Sequence, residues 1–190
     1  MIKALTYLLF LVSFFAIVGC TATSNYDEKN IDRLAFEIEQ LGPSVSAEEA
    51  SRASYIAHTY SLQLAKEYNV TTSAMAHNQL VVHGLRKRGY CNHYTEDLSK
   101  RLKQEDFRTL TVHWAVSPPA PLRIIHHSVI ISPRGGTIDD GILLDPWRNS
   151  GVLFYSKPQD DERYDWRTRA EVREQLLLDA EARDARFPSD

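Results

Sequence analysis

Gly89-Tyr90-Cys91-Asn92-His93-Tyr94-Thr95-Glu96-Asp97-Leu98 is the stretch on which the reading of this chain turns. Basic residues Lys87 and Arg88 followed by Gly89 read as the end of one helix. Tyr94, Leu98 and Leu102 then recur at helical spacing, so a second helix starts almost at once. A helix that stops at glycine and restarts two residues later places Cys91 at a reversal, open to a cleft. The first turn of a helix presents unpaired N–H groups and a partial positive charge, which together favour a thiolate. Cys91 is therefore the candidate nucleophile; the alternative for a lone helical cysteine is a small buried hydrophobe.

Upstream of this stretch the pattern is helical. Ile31, Leu34, Phe36, Ile38 and Leu41 predict a short amphipathic helix closed by Gly42-Pro43. Ser46-Ala47-Glu48-Glu49 has the form of a capping box, with Glu49 reaching back to Ser46. The helix it opens is expected to reach Tyr68 and to bury Ala50, Ala53, Ile56, Ala57, Tyr60 and Leu64. Thr71-Thr72-Ser73 caps a further helix running to Lys87-Arg88-Gly89.

Downstream of Asp106 the period changes from helical to alternating. Leu110 to Val116 reads as a strand stopped by Pro118-Pro119, and Leu122 to Ile131 as a second, followed by a turn at Pro133-Arg134-Gly135-Gly136. Ile142-Leu143-Leu144-Asp145-Pro146 is a third, ended by its proline, and Val152 to Tyr155 a fourth. Arg169 to Arg183 closes the chain as a helix packed by Val172, Leu176 and Leu177. Helices first and an antiparallel sheet second make an α+β fold, with the nucleophile at a helix N-terminus packed on a small sheet.

At 190 residues, 43% hydrophobic and 25% charged, the chain suits one globular domain. A net charge of -3 lacks the basic face that nucleic acid demands. The first residues differ in kind. Lys3 precedes an apolar run from Leu8 to Val18, too short for a comfortable membrane span, which reads as a secretory signal. Ile17-Val18-Gly19-Cys20 resembles the bacterial lipoprotein processing box. That resemblance implies a signal over 1–19, lipidation at Cys20, a tether over 20–30 and a domain over 31–190. It also implies a cell-envelope address, with Thr21 after the cysteine pointing to the outer membrane facing the periplasm. Losing Lys3 with the signal takes the charge from -3 to -4. Cys91 is then the one free thiol in an oxidising compartment.

A thiol nucleophile needs an imidazole as base, and the imidazole needs a carboxylate or amide to orient it. The histidine strand and the strand ending at Asp145 can place such a pair side by side. His127, Val129 and Ile131 point one way and His126, Ser128 and Ile130 the other, and periodicity alone leaves the base open. A metal site would draw on Cys91, His93, His126, His127 and Asp139-Asp140, but no paired motif such as His-Glu-x-x-His is present. No metal or cofactor is expected.

The run from Gly89 to Thr95 is similar to the nucleophile motif of the bacterial transglutaminase-like cysteine hydrolases. His127-Ser128-Val129-Ile130-Ile131 resembles their second motif and Leu144-Asp145-Pro146 their third, in the same order. This resemblance implies a papain-like fold with Cys91 as nucleophile, His127 as general base and acid, and Asp145 as orienter. Two departures are His93, where an acidic residue is common, and Val129, where an aromatic is. Gln79, Trp114 and His126 are candidates for the oxyanion site or cleft; Asn78 and the Cys91 N–H are further donors.

The expectation is thus a lipid-anchored hydrolase or acyltransferase that attacks amide bonds of peptides or proteins, peptidoglycan peptides among them. The alternative is an envelope lipoprotein that uses the same fold for binding or assembly.

Overall fold

The computed structural model describes residues 21–121 and 123–186. The expected signal and the lipidation cysteine Cys20 lie outside these residues. Four helices come first: α1 (Thr21–Glu39), α2 (Ala47–Glu67), α3 (Ala74–Val82) and α4 (Cys91–Lys103). Strands β1 (Leu110–Ser117), β2 (His126–Pro133), β3 (Ile142–Asn149), β4 (Val152–Ser156) and β5 (Arg167–Thr168) follow, and α5 (Arg169–Arg186) closes the order. The strands form one antiparallel sheet in the order β4-β3-β2-β1-β5. The α+β class expected from the change of period is the class observed.

The helical boundaries differ from expectation in instructive ways. Helix α1 takes in residues 21–30, the described part of the stretch expected to be a tether. It contains neither proline nor glycine, and nothing in it interrupts a helix. On α2 the Ser46 hydroxyl accepts from the Glu49 N–H at 3.4 Å, as a cap should. Glu49 does not reach back, however. Its carboxylate turns to the N–H groups of Arg108 and Thr109 at 2.7 and 2.8 Å, and Thr109 Oγ1 in turn accepts from the Ser46 N–H at 3.1 Å. The half of the capping box that looked local is a tie between α2 and the entry to β1. Helix α3 stops at Val82, not at Gly89, because Gly84 takes φ 71 and the Leu85 N–H closes onto the Leu80 carbonyl at 2.8 Å.

The sheet is covered on both sides. Val129 pairs with Leu144 and Ile131 with Ile142; these four meet Leu98 and Leu102 of α4, Ala53 and Ala57 of α2, and Leu34 and Ile38 of α1. Ile130 pairs with Leu143 on the opposite face, where Tyr164, Trp166 and Ile138 cover them. Burial on two faces explains why β2 and β3 read as unbroken apolar runs rather than as alternation. β2 starts at His126, and ahead of it Ala120 and Arg123 exchange reciprocal backbone bonds; Leu122, the expected start, lies outside the described residues. β3 runs past Pro146 to Asn149 with a shift of register against β4, so the proline sits in an irregularity instead of ending the strand. Of the residues expected to pack α5, only Val172 is buried; Leu176 and Leu177 are exposed.

Candidate active site

Cys91 is the first residue of α4, and its placement follows from Gly89. That glycine takes φ 130, and a Cβ there would lie 2.2 Å from Nε2 of His77. The His77 ring itself bonds the Arg88 carbonyl at 2.9 Å, so the reversal is packed from the α3 side. His93 then caps the new helix: its Nδ1 accepts from the N–H groups of Gly89 and Tyr90 at 3.1 and 3.4 Å. Burial and the nearby Arg88 push the His93 pKa down, which keeps that nitrogen free to accept. The residue that departs from the expected acidic type thus holds the turn in front of the thiol. Cys91 is a buried free thiol, its Sγ 4.0 Å from the Ile125 carbonyl oxygen.

The imidazole that meets Asp145 is His126. Its Nε2 lies 2.7 Å from Asp145 Oδ2, and both side chains are fully buried. This corrects the expectation that His127 forms the pair. Asp145 lies on the same face as Leu143, and Leu143 pairs with Ile130, so the even-numbered histidine shares that face. His127 turns the other way, where its Nδ1 accepts from Trp114 Nε1 at 3.0 Å. Burial, with His126 and Arg169 nearby, holds His127 down at about 4, a neutral ring at pH 7.

Asp145 is held by four hydrogen bonds. Oδ2 accepts from His126 and from Arg148 Nε at 3.1 Å; Oδ1 accepts from the N–H groups of Trp147 and Arg148 at 3.1 and 3.2 Å. The backbone pair is a turn in which Pro146, lacking an N–H, fills the position that needs none. Although burial opposes the charge, His126 and Arg148 hold the carboxylate below its usual range. Arg148 is anchored in turn by Asp161 at 2.6 and 3.2 Å and lies 3.9 Å over the Phe154 ring. Asp161 also accepts from Trp166 Nε1 at 2.9 Å.

An ionised carboxylate can only accept, so Nε2 of His126 carries a proton and donates it to Asp145. Nδ1 is buried without a hydrogen bond in the protein. Burial works against a charged ring, yet the Asp145 carboxylate and the Cys91 sulfur outweigh it and push His126 up to about 9. Three rings enclose the imidazole: Tyr164, Trp147 and Trp166, with centroids at 4.4, 4.8 and 5.3 Å. Imidazole and carboxylate are therefore joined by a buried hydrogen bond, and the Cys91 sulfur acts on the charge of the same ring.

The remaining candidates separate clearly. Gln79 is exposed on α3, whereas Asn78 is buried and its Oδ1 accepts from Trp147 Nε1 at 3.2 Å. Trp114 backs His127 rather than the thiol. Sequence reasoning missed Arg148, Asp161, Tyr164 and Trp166. Only Arg148, three residues after Asp145 across a proline turn, carried a local signal. Among the described residues no three His, Cys, Asp or Glu side chains are grouped to hold a metal ion. No helix among them is long and apolar enough to cross a membrane. No protein-family model, curated protein or solved structure matches the chain.

Proposed function

We propose that this protein is a cysteine hydrolase or acyltransferase of the transglutaminase-like kind, acting on amide bonds of peptides or proteins. The observation that supports it best is the buried 2.7 Å pair of His126 and Asp145 set behind a free thiol at a helix N-terminus. In this reading Cys91 is the nucleophile, His126 the general base and acid, and Asp145 the orienter.

With the proton already on His126, the Cys91 sulfur attacks the amide carbonyl, forming a C–S bond and an oxyanion. The N–H groups of the first turn of α4 point toward such a charge, and donors of this kind contribute a few kcal/mol. Collapse breaks the C–N bond, and the amine leaves with the proton held on His126. A thioester remains on Cys91. Water, or a second amine, gives a proton to His126 and attacks the thioester; the C–S bond breaks and the sulfur is freed with the proton again on His126. The apolar run and the Gly19-Cys20 box support a lipid-anchored, periplasm-facing location for this chemistry.

The rate at which iodoacetamide alkylates Cys91 at pH 6 tests the assignment. The wild-type rate should exceed that of a free thiol by at least about tenfold, since activated thiols of this class keep thiolate character below neutral pH. His126→Ala should abolish the excess and His127→Ala should preserve it. A Cys91 that reacts only after denaturation would defeat the proposal.

A further inference from the structure

On the His127 side of the sheet runs a groove of about 300 Å³, floored by Val116, Ile125, His127 and Val172 and edged by Arg169 and Arg173 of α5; it meets the thiol only through Ile125. Ile125 belongs to both places: it lines the groove, and its carbonyl oxygen is the 4.0 Å neighbour of Cys91 Sγ. The exposed side chains of Leu176 and Leu177 continue the apolar wall along the helix.

The charge of this groove is one-sided. No carboxylate lines it, and neither Arg169 nor Arg173 has an ion-pair partner among the described residues. The contrast with Arg167, two residues earlier, is direct: it is taken up by Asp165 and Gln175. Glu171, the acid nearest in sequence, is spent on the N–H and hydroxyl of Thr168. Arg169 is also set in place, its guanidinium 5.0 Å from the centroid of the Trp114 ring. Arginines present planar, multidentate donors suited to carboxylates, and an apolar floor suits an aliphatic side chain.

We propose that this groove is the substrate subsite and that it selects an acidic peptide, with an aliphatic side chain on the Val116–Val172 floor and a carboxylate on Arg169 and Arg173. The inference rests on the proposed hydrolase reading and names its substrate class. Specificity then comes from α5 and chemistry from α4 and the sheet.

Peptidyl chloromethyl ketones test it on the full chain, because they alkylate Cys91 only after occupying the groove. Three acetylated tripeptide probes would carry Glu at the first, second or third position from the ketone and leucine elsewhere, each against its Gln counterpart. Intact mass reads the labelling rate. At one position Glu should be favoured over Gln by tenfold or more. The preference should fall to within twofold in Arg169→Gln/Arg173→Gln and return in Arg169→Lys/Arg173→Lys, with far-ultraviolet circular dichroism confirming that both variants fold. No preference at any position, or one that survives the Gln pair, overturns the subsite. So does sedimentation showing a dimer that Leu177→Ser dissolves, since the groove would then belong to a second copy. If wild-type Cys91 lacks the excess iodoacetamide reactivity as well, it is the hydrolase reading that has failed.

Discussion

Asp145 is the residue at which the site is most constrained. One carboxylate orients an imidazole, closes a proline turn and neutralises a buried guanidinium. Arg148 keeps Asp161 if Asp145 is lost, but the fully buried His126 is left without its carboxylate. Breaking one side of a buried charge pair costs about 3 kcal/mol at the lower end of the usual range. Asp145→Asn should therefore lower the urea-unfolding free energy by about that amount. It should also cut the Cys91 alkylation rate by at least about tenfold, because the imidazole loses the carboxylate that holds its proton and orientation. A variant that lost stability yet kept full alkylation would show Asp145 to be a structural anchor and no orienter.

At the scale of elements, the decisive join is the one between α3 and α4. Gly89 holds a left-handed φ of 130 against the His77 ring, and only a residue without Cβ fits both demands. Gly89→Ala adds backbone strain of about 1–3 kcal/mol and pushes a methyl into an imidazole that already bonds the Arg88 carbonyl. Chemical denaturation should register a loss of at least about 2 kcal/mol. His77→Ala in the same chain should return part of it by removing the clash while leaving the φ penalty. Full recovery would mean that the backbone angle is not strained, and none would mean that the two residues do not meet. The histidine assignment also belongs to this scale. Neighbours on one strand point to opposite faces, so the choice between His126 and His127 is a choice of sheet face.

For the whole molecule the site writes itself into the pH dependence of stability. His126 is raised from an ordinary 6.5 to about 9 by Asp145 and Cys91 against the opposing effect of burial. Below pH 6.5 both folded and unfolded chains hold this proton and the contribution is complete. Between 6.5 and 9 only the folded chain holds it, so stability drains away as the pH rises through that window. A shift of this size is worth on the order of 3 kcal/mol. His127, held down at about 4, acts on the acid side: between 6.5 and 4 the unfolded chain gains a proton that the folded chain refuses. Urea midpoints should therefore decline on both sides of about pH 6.5. The alkaline decline should vanish in Asp145→Asn, and its persistence there would detach it from His126.

Much of this architecture was legible in the chain alone. The change of period near Asp106, the breaks at Gly42-Pro43 and Pro118-Pro119, and the Tyr94-Leu98-Leu102 stripe are local signals, and local signals set helix and strand. They placed Cys91 at a helix start and Asp145 on a strand beside a histidine strand. Tertiary structure alone decided three things. It put His126 on the face of Asp145, because register is a property of two strands and not of one. It turned Glu49 from a local cap into a tie to Thr109, because a carboxylate goes to whichever N–H groups folding brings near. And it brought Asp161, Tyr164 and Trp166 around the imidazole from a segment with no periodicity at all, since packing between distant parts of a chain leaves no trace in spacing.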